Sequence, residues 1–314
     1  MARFVLSRIG QTLAVLFTVS VIIFALMRMI PGDPVLMMLG DDFTQGAYEQ
    51  LRAKLGLDRS IVVQYLYWIG RVLSGDLGDS YLNHERVSRL VLDAFVPTLV
   101  LVIASLIVGV LIAVPSGIIA AMRKDSAWDW GSMGFAIFVY SMPSFWKGII
   151  LIWVFSVSLG WFPTMGYVAP WSDFRQGMWR LVLPAVTLGT FFSGLVARII
   201  RSSLLEVLDQ DYVKAARARG VRQAALVYKH AMANALIPVV TVIGLQFGTL
   251  LGGAVLTETV FAIPGMGRLS VAAILNRDYA VVQGTILLGV FMVVVVNLLV
   301  DLAYAFLNPR IRVA

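Results

Sequence analysis

Apolar runs about twenty residues long alternate with short polar breaks along most of this chain. They occupy 9–27, 97–122, a stretch within 130–161, 181–200, 236–256 and 281–302. A hydrocarbon core of about 30 Å needs roughly 20 apolar residues in a helix, and irregular backbone cannot face lipid. The runs are continuous rather than alternating, which argues against a membrane β-barrel. The pattern predicts an all-α integral membrane protein with six transmembrane helices. Residues 1–30 carry the first helix, and 31–96 form a small extracytoplasmic helical region. Residues 97–307 form a five-helix core with a cytoplasmic loop at 202–235, and 308–314 form a cytoplasmic tail. The first run is longer than the roughly 7–15-residue apolar core of a signal peptide, and no A-x-A site follows, so it reads as an uncleaved span. Pro143 falls inside the third run.

Charge gives the orientation. An even number of spans puts both termini on one side, and Lys and Arg in short loops mark the cytoplasm. With the N-terminus inside, the cytoplasmic basic residues are Arg3, Arg8, Arg123, Lys124, Arg198, Arg201, Lys214, Arg217, Arg219, Arg222, Lys229, Arg310 and Arg312, 13 of the 25 in the chain. The short outer loops at 161–180 and 257–280 hold four. The net charge of +7 is thereby read as orientation rather than as nucleic-acid binding. Composition agrees: 59% of the 314 residues are hydrophobic and 14% charged. There is no cysteine, and the two histidines, His84 and His230, are too few and too far apart for a metal site.

Segment 31–96 contains an apolar stripe at Ile61, Val62, Tyr65, Leu66, Ile69 and Val72, with Ser60 placed to cap the helix. A turn at 75–79 follows. Two accounts are open for it: a lid resting on the bilayer, or a docking surface for an extracytoplasmic partner. In the fifth run Gly244, Gly248 and Gly252 stand four apart, so they share one helix face and let a neighbouring backbone approach. That neighbour is either another helix of this chain or a second membrane subunit.

The most informative polar stretch is 211–238, DYVKAARARGVRQAALVYKHAMANALIP. Asp211 is placed to cap a short helix, Arg217 and Arg219 fall in its last turn, and Gly220 suits the left-handed position beyond its end. Tyr212, Ala215, Ala216 and Arg219 share a face that is nearly bare of side-chain bulk. A second helix is expected from 222 to 234. Lys214-Ala215-Ala216, three residues and then Gly220, between the fourth and fifth spans, resembles the coupling motif of ABC importer permeases. Lys214 stands where the general motif has an acid, and the Leu-Pro expected soon afterwards is absent. Both departures fit the dipeptide, oligopeptide and nickel branch. The resemblance extends through RMIPGDPV at 28–35, GDLGDS at 75–80, SMPSFWKG at 141–148, TETVFAIPGMGR at 257–268, NRDYAVVQG at 276–284 and NLLVDLAYAFLNPRIR at 297–312.

That resemblance implies a permease of the bacterial inner membrane working with a second homologous permease, two ABC ATPase subunits and an extracytoplasmic substrate-binding protein. ATP and Mg would be bound by the ATPases, so this chain would carry no cofactor. The sequence itself has no G-x-x-x-x-G-K-[ST] phosphate loop. An intramembrane enzyme would need a base or a paired acid inside a span, and Asp301 is the only clear acid read there. A stand-alone transporter or channel would need no coupling loop. Cargo stays open among peptides, glutathione-like compounds, opines and nickel chelates.

Three residues are candidate pathway groups. Lys147, four residues after Pro143, is a costly charge in an apolar run. It either snorkels to an interface or lies beside the pathway and attracts a carboxylate. Glu258 and Phe261 belong to a stretch read as a short stiff outer loop, with a Pro264-Gly265 turn and Met266 near its tip.

Overall fold

The computed structural model describes residues 2–29, 34–39, 43–54 and 56–307. The expected tail at 308–314 and positions 30–33 of the RMIPGDPV motif lie outside these. Among the described residues the chain is helical, and its one extended pairing is a bridge between Asp79 and Arg86. Among the described residues five helices are each long and apolar enough to cross a membrane. They are the Leu6–Met29 part of α1 (Ala2–Met29), α5 (Val87–Met122), α8 (Phe174–Leu208), the continuous stretch Gln223–Val260, and the Tyr279–Leu302 part of α13 (Tyr279–Leu307). Most extend beyond the predicted runs, because their first and last turns carry polar residues that a hydropathy pattern cuts away.

The third span, expected as a helix kinked at Pro143, is interrupted there. It is a broken pair, α6 (Ala127–Ser141) and α7 (Ser144–Leu151), the latter continued by a π-helical stretch Ile152–Ser158. The two halves meet at 103°. Pro143 is the cause: it lacks a backbone donor and pushes the preceding residue out of the helical region. Met142 accordingly has φ −77° and ψ 130°.

Before α5 lie α2 (Pro34–Leu39), α3 (Gln45–Lys54) and α4 (Ile61–Leu73). Ser60 does occupy the N-cap of α4, but its side chain makes no capping bond. Gln64 serves the entry turn instead, donating to the carbonyls of Leu57 and Arg59. The turn after α4 forms on Gly75 and Gly78, both left-handed at φ 82° and 86°. Arg71 closes it with an ion pair to Asp76 at 2.8 Å, which holds the Asp76 carboxyl below its ordinary range.

The chain divides into two compact units. One comprises Ala2–Val96 and Gly265–Val294. Its core joins Val87, Val91 and Ala94 to Met266, Ala273 and 280–282, with Met266 and Ala273 supplied by α12 (Met266–Leu275). A buried hydrogen bond from Ser80 Oγ to Asp278 Oδ2 ties the GDLGDS motif to the NRDYAVVQG motif, 198 residues apart. Burial, with Asp278 nearby, pushes the neighbouring Tyr81 hydroxyl up to about 12. The other unit comprises Pro97–Pro264 and the chain from Val295 on. Its core is built on α8, whose Leu188, Phe192, Val196 and Ile200 are fully buried. α5 and α8 meet through glycines: a β-carbon on Gly189 would lie 2.5 Å from the Ser105 carbonyl, and one on Gly109 would strike Phe192. Small residues at such crossings let helices associate where lipid removes the hydrophobic driving force.

Candidate coupling and translocation site

The polar stretch after α8 folds as α9 (Asp211–Ala218), a turn, and α10 (Gln223–Ala225). It then continues through a π-helical segment Leu226–Ala231 into α11 (Met232–Val260). Asp211 is the first residue of α9 rather than its cap; Gln210 holds that position without a side-chain bond. Asp211 acts instead as a negative charge in the first turn, where the helix dipole favours it. Gly220 has φ 81°, the left-handed conformation its position requires. The second helix expected at 222–234 runs on into the fifth span as one continuous stretch, Gln223–Val260.

One face of α9 is apolar and inward. Val213 and Ala216 are buried against Leu226, Val207, Leu208 and Val221. Ala216 therefore leaves the bare face proposed for it, because it shares an i, i+3 stripe with Val213. The outward face consists of Tyr212, Lys214, Ala215, Arg217, Ala218 and Arg219, all exposed. Tyr212 also braces the loop: its hydroxyl accepts from Asn234 Nδ2 at 2.8 Å and donates to the His230 carbonyl at 3.3 Å. Lys214 pairs with Asp209 at 2.8 Å and holds that exposed carboxyl below its usual range. The arrangement is a short basic helix with a flat alanine surface, braced between two long apolar helices.

Lys147 lies in the first turn of α7 and is 6% exposed. Its side chain is turned in against α8. Its Nζ donates to Thr190 Oγ1 at 3.3 Å and stands 5.8 Å from the Phe191 ring centre on α8. No carboxylate pairs with it among the described residues. Phe191 also stacks with Tyr140 of α6, so both halves of the broken span contact this ring.

Glu258 and Phe261 do not form an outer loop. α11 runs on to Val260, Glu258 is fully buried in its last turn, and Thr98 Oγ1 of α5 donates to Glu258 Oε1. Phe261 caps the helix and is 2% exposed, its ring 3.1 Å from where a β-carbon on Gly148 would stand. Met266 is buried rather than presented at a tip. The glycine ladder is also divided. A β-carbon on Gly244 would collide with Val300 of α13, whereas one on Gly252 would meet nothing within 4 Å. Gly248 is only part-buried. Gly244→Leu is thus expected to force α11 and α13 apart and lower the melting temperature of the purified protein, while Gly252→Leu leaves it unchanged in the isolated chain. Equal melting of the two variants would remove the packing role from Gly244.

One interaction escaped the sequence reading. Asp129, in the first turn of α6, is 4% exposed and forms a bidentate pair with Arg201 of α8, at 2.7 and 2.6 Å. It also accepts from the Asp125 backbone at 3.0 Å. A cavity of about 290 Å³, lined by Trp130, Met133 and Arg198 among others, opens beside it. Asp129 and Glu258 show that Asp301 is not the only acid within the apolar helices.

Comparison with known proteins agrees with this architecture. The family model for the binding-protein-dependent transport system inner membrane component matches residues 113–313, and the model for its N-terminal part matches 1–102. The di/tripeptide transport system permease protein DppB of Pseudomonas aeruginosa (strain UCBPP-PA14) is 43% identical over 99% of both chains. The dipeptide transport system permease protein DppB of Escherichia coli (strain K12) is 40% identical over the same share. A solved chain of the MetNI methionine ABC transporter, inward facing, superposes with a TM-score of 0.59 at 19% identity, over 70% of this chain and 96% of its own. The fold is thus one that ABC transporters use. With a family model over each part of its length and permeases as full-length relatives, the chain belongs to the binding-protein-dependent transport system inner membrane components, as a permease subunit rather than an enzyme.

Proposed function

We propose that the chain forms half of the translocation pathway of an ATP-driven importer of di- and oligopeptides. A second, homologous permease forms the other half, two ATPases bind ATP and Mg on the cytoplasmic side, and an extracytoplasmic binding protein delivers the cargo. Both termini then face the cytoplasm. The observation that carries this reading is α9. Its alanine face and basic rim suit insertion into a cleft of another protein, and it is joined directly to α8 and α11. Movement imposed on α9 reaches both helices. The relatives named for dipeptides and tripeptides support the choice of cargo. Gly252, open on the outside of α11, supports a face for the second permease.

Lys147 is the residue proposed to meet the cargo. A buried ammonium is costly unless paired, and Lys147 meets a hydroxyl and an aromatic ring. Every free peptide carries a carboxylate that complements it. The test is uptake of a labelled dipeptide into proteoliposomes holding all subunits and the binding protein. Wild-type uptake is expected to need both ATP and the binding protein. Lys147→Met should lower it about tenfold, the equivalent of roughly 1.4 kcal/mol, without changing basal ATP hydrolysis. Absence of uptake for every peptide, with uptake of another solute, would overturn the cargo. Normal peptide uptake by Lys147→Met would remove Lys147 from the pathway and leave the cargo standing.

A further inference from the structure

We infer that α4 is immersed in the lipid leaflet at the C-terminal end of α1, with its outer surface covered by acyl chains rather than by protein. The helix reads IVVQYLYWIGRVL, with no charge from Ile61 to Gly70. None of its residues is buried, and Ile61, Val62, Leu66 and Leu73 are 69%, 67%, 60% and 82% exposed. Gln64 and Arg71 stand seven residues apart on one face, and the rest of the surface is apolar; so broad an apolar face does not rest in water.

Its contacts with α1 set its depth. The Tyr65 hydroxyl is hydrogen-bonded to Ser20 Oγ at 2.8 Å, and the Tyr65 ring packs edge-on against Phe17 and Phe24 at 6.3 and 5.5 Å. Phe24 also meets Trp68 at 5.6 Å. Between Arg8 and Arg28 the α1 sequence carries no charge, a length of about 30 Å at 1.5 Å per residue that matches the hydrocarbon core. Ser20 then lies about 12 Å inside the level of Arg28. A side chain bonded to Ser20 belongs to a helix at hydrocarbon depth, where an aqueous protein cannot seat itself.

The rest of α4 suits that position. At 13 residues it is about 20 Å long and cannot cross the bilayer. It lies within the leaflet as interfacial helices do. Asp58 and Arg59 precede it, and Arg71 in its last turn pairs with Asp76 beyond it, so the charges flank the uncharged stretch 61–70 at headgroup level. Tyr65, Tyr67 and Trp68 are the residues that favour a membrane boundary. The amide nitrogen of Gln64, the one polar side chain midway, is tied back to the entry turn. Segment 31–96 is thus part membrane anchor and not wholly aqueous.

The chain has no cysteine, so single spin labels report cleanly. Labels at Leu66→Cys and Val62→Cys, in the complete transporter in phosphatidylethanolamine–phosphatidylglycerol vesicles, are expected to collide with oxygen and exclude a water-soluble nickel chelate. A label at Asn83→Cys, in the exposed turn beyond, should show the reverse. Nickel access at Leu66 would overturn the inference. Shielding from both reagents, relieved when the second permease or the binding protein is left out, would overturn it too, by showing a protein cover. If Leu66→Cys does not assemble, Val62→Cys gives the same readout.

Discussion

Asp129→Ala is expected to destabilise the protein by about 2–4 kcal/mol, seen as a drop of several degrees in the melting temperature in detergent. Breaking a buried ion pair by removing one partner costs about 3–5 kcal/mol, because the other charge is left uncompensated. The value is lowered here because the Arg201 side chain is 25% exposed and recovers some solvation. Asp129 also holds the Asp125 backbone, so the turn between α5 and α6 loosens at the same time. Asp129→Leu with Arg201→Met, which removes both charges and keeps bulk, should recover most of the loss. If Asp129→Ala melts with the wild type, the pair does not clamp α6 to α8. If the double variant is worse than Asp129→Ala, the pair acts through geometry that apolar packing cannot replace.

Gly220→Val is expected to leave insertion and assembly intact and to reduce ATP-driven uptake at least about tenfold. Gly220 has φ 81°, and nothing lies within 4 Å of the position a β-carbon would take. The effect is therefore backbone strain rather than collision, and it is largest for a β-branched residue. Uptake should fall in the order Gly, Asn, Ala, Val, since Asn tolerates the left-handed region better than Ala. ATP hydrolysis should persist without matching transport, because α9 still folds on Val213 and Ala216 but leaves its turn at a different angle. Full uptake by Gly220→Val, or a ranking that follows side-chain volume instead, would refute this role for the turn.

Much of the fold was legible because continuous apolar runs have few other uses. Gly220 was legible for a similar reason: only one conformation makes a glycine valuable just past a helix end. What remained hidden depended on what stands opposite. Gly244, Gly248 and Gly252 share a face by spacing alone, yet only the structure brings Val300 onto Gly244 and leaves Gly252 open. Arg201 reads only as one of the cytoplasmic basic residues, since its partner lies 72 residues away. Asp129 was cut off with the polar edge of its run, between Trp128 and Trp130. Glu258 reads as loop because the fifth apolar run ends at 256 and a Pro264-Gly265 turn follows. In the fold, Thr98 gives its carboxyl a partner and the helix continues through it. Pro143 was noticed, but a proline specifies a break and not the angle of 103°.

The stretch Gln223–Val260 has a mechanical consequence. At 38 residues it is about 57 Å long, with α9 attached at one end and the buried Glu258–Thr98 bond at the other. Its two compliant points, the π-helical segment Leu226–Ala231 and Pro238, both lie near the α9 end. From Val239 to Val260 it is uninterrupted helix. Such a member is a lever with an off-centre hinge and a fixed far pivot. A push on α9, under the proposed coupling, would be absorbed mostly as bending beside the load while the pinned end stayed nearly still. The stroke would then be greatest where force enters and fade toward the pivot, the motion of a door rather than of a piston.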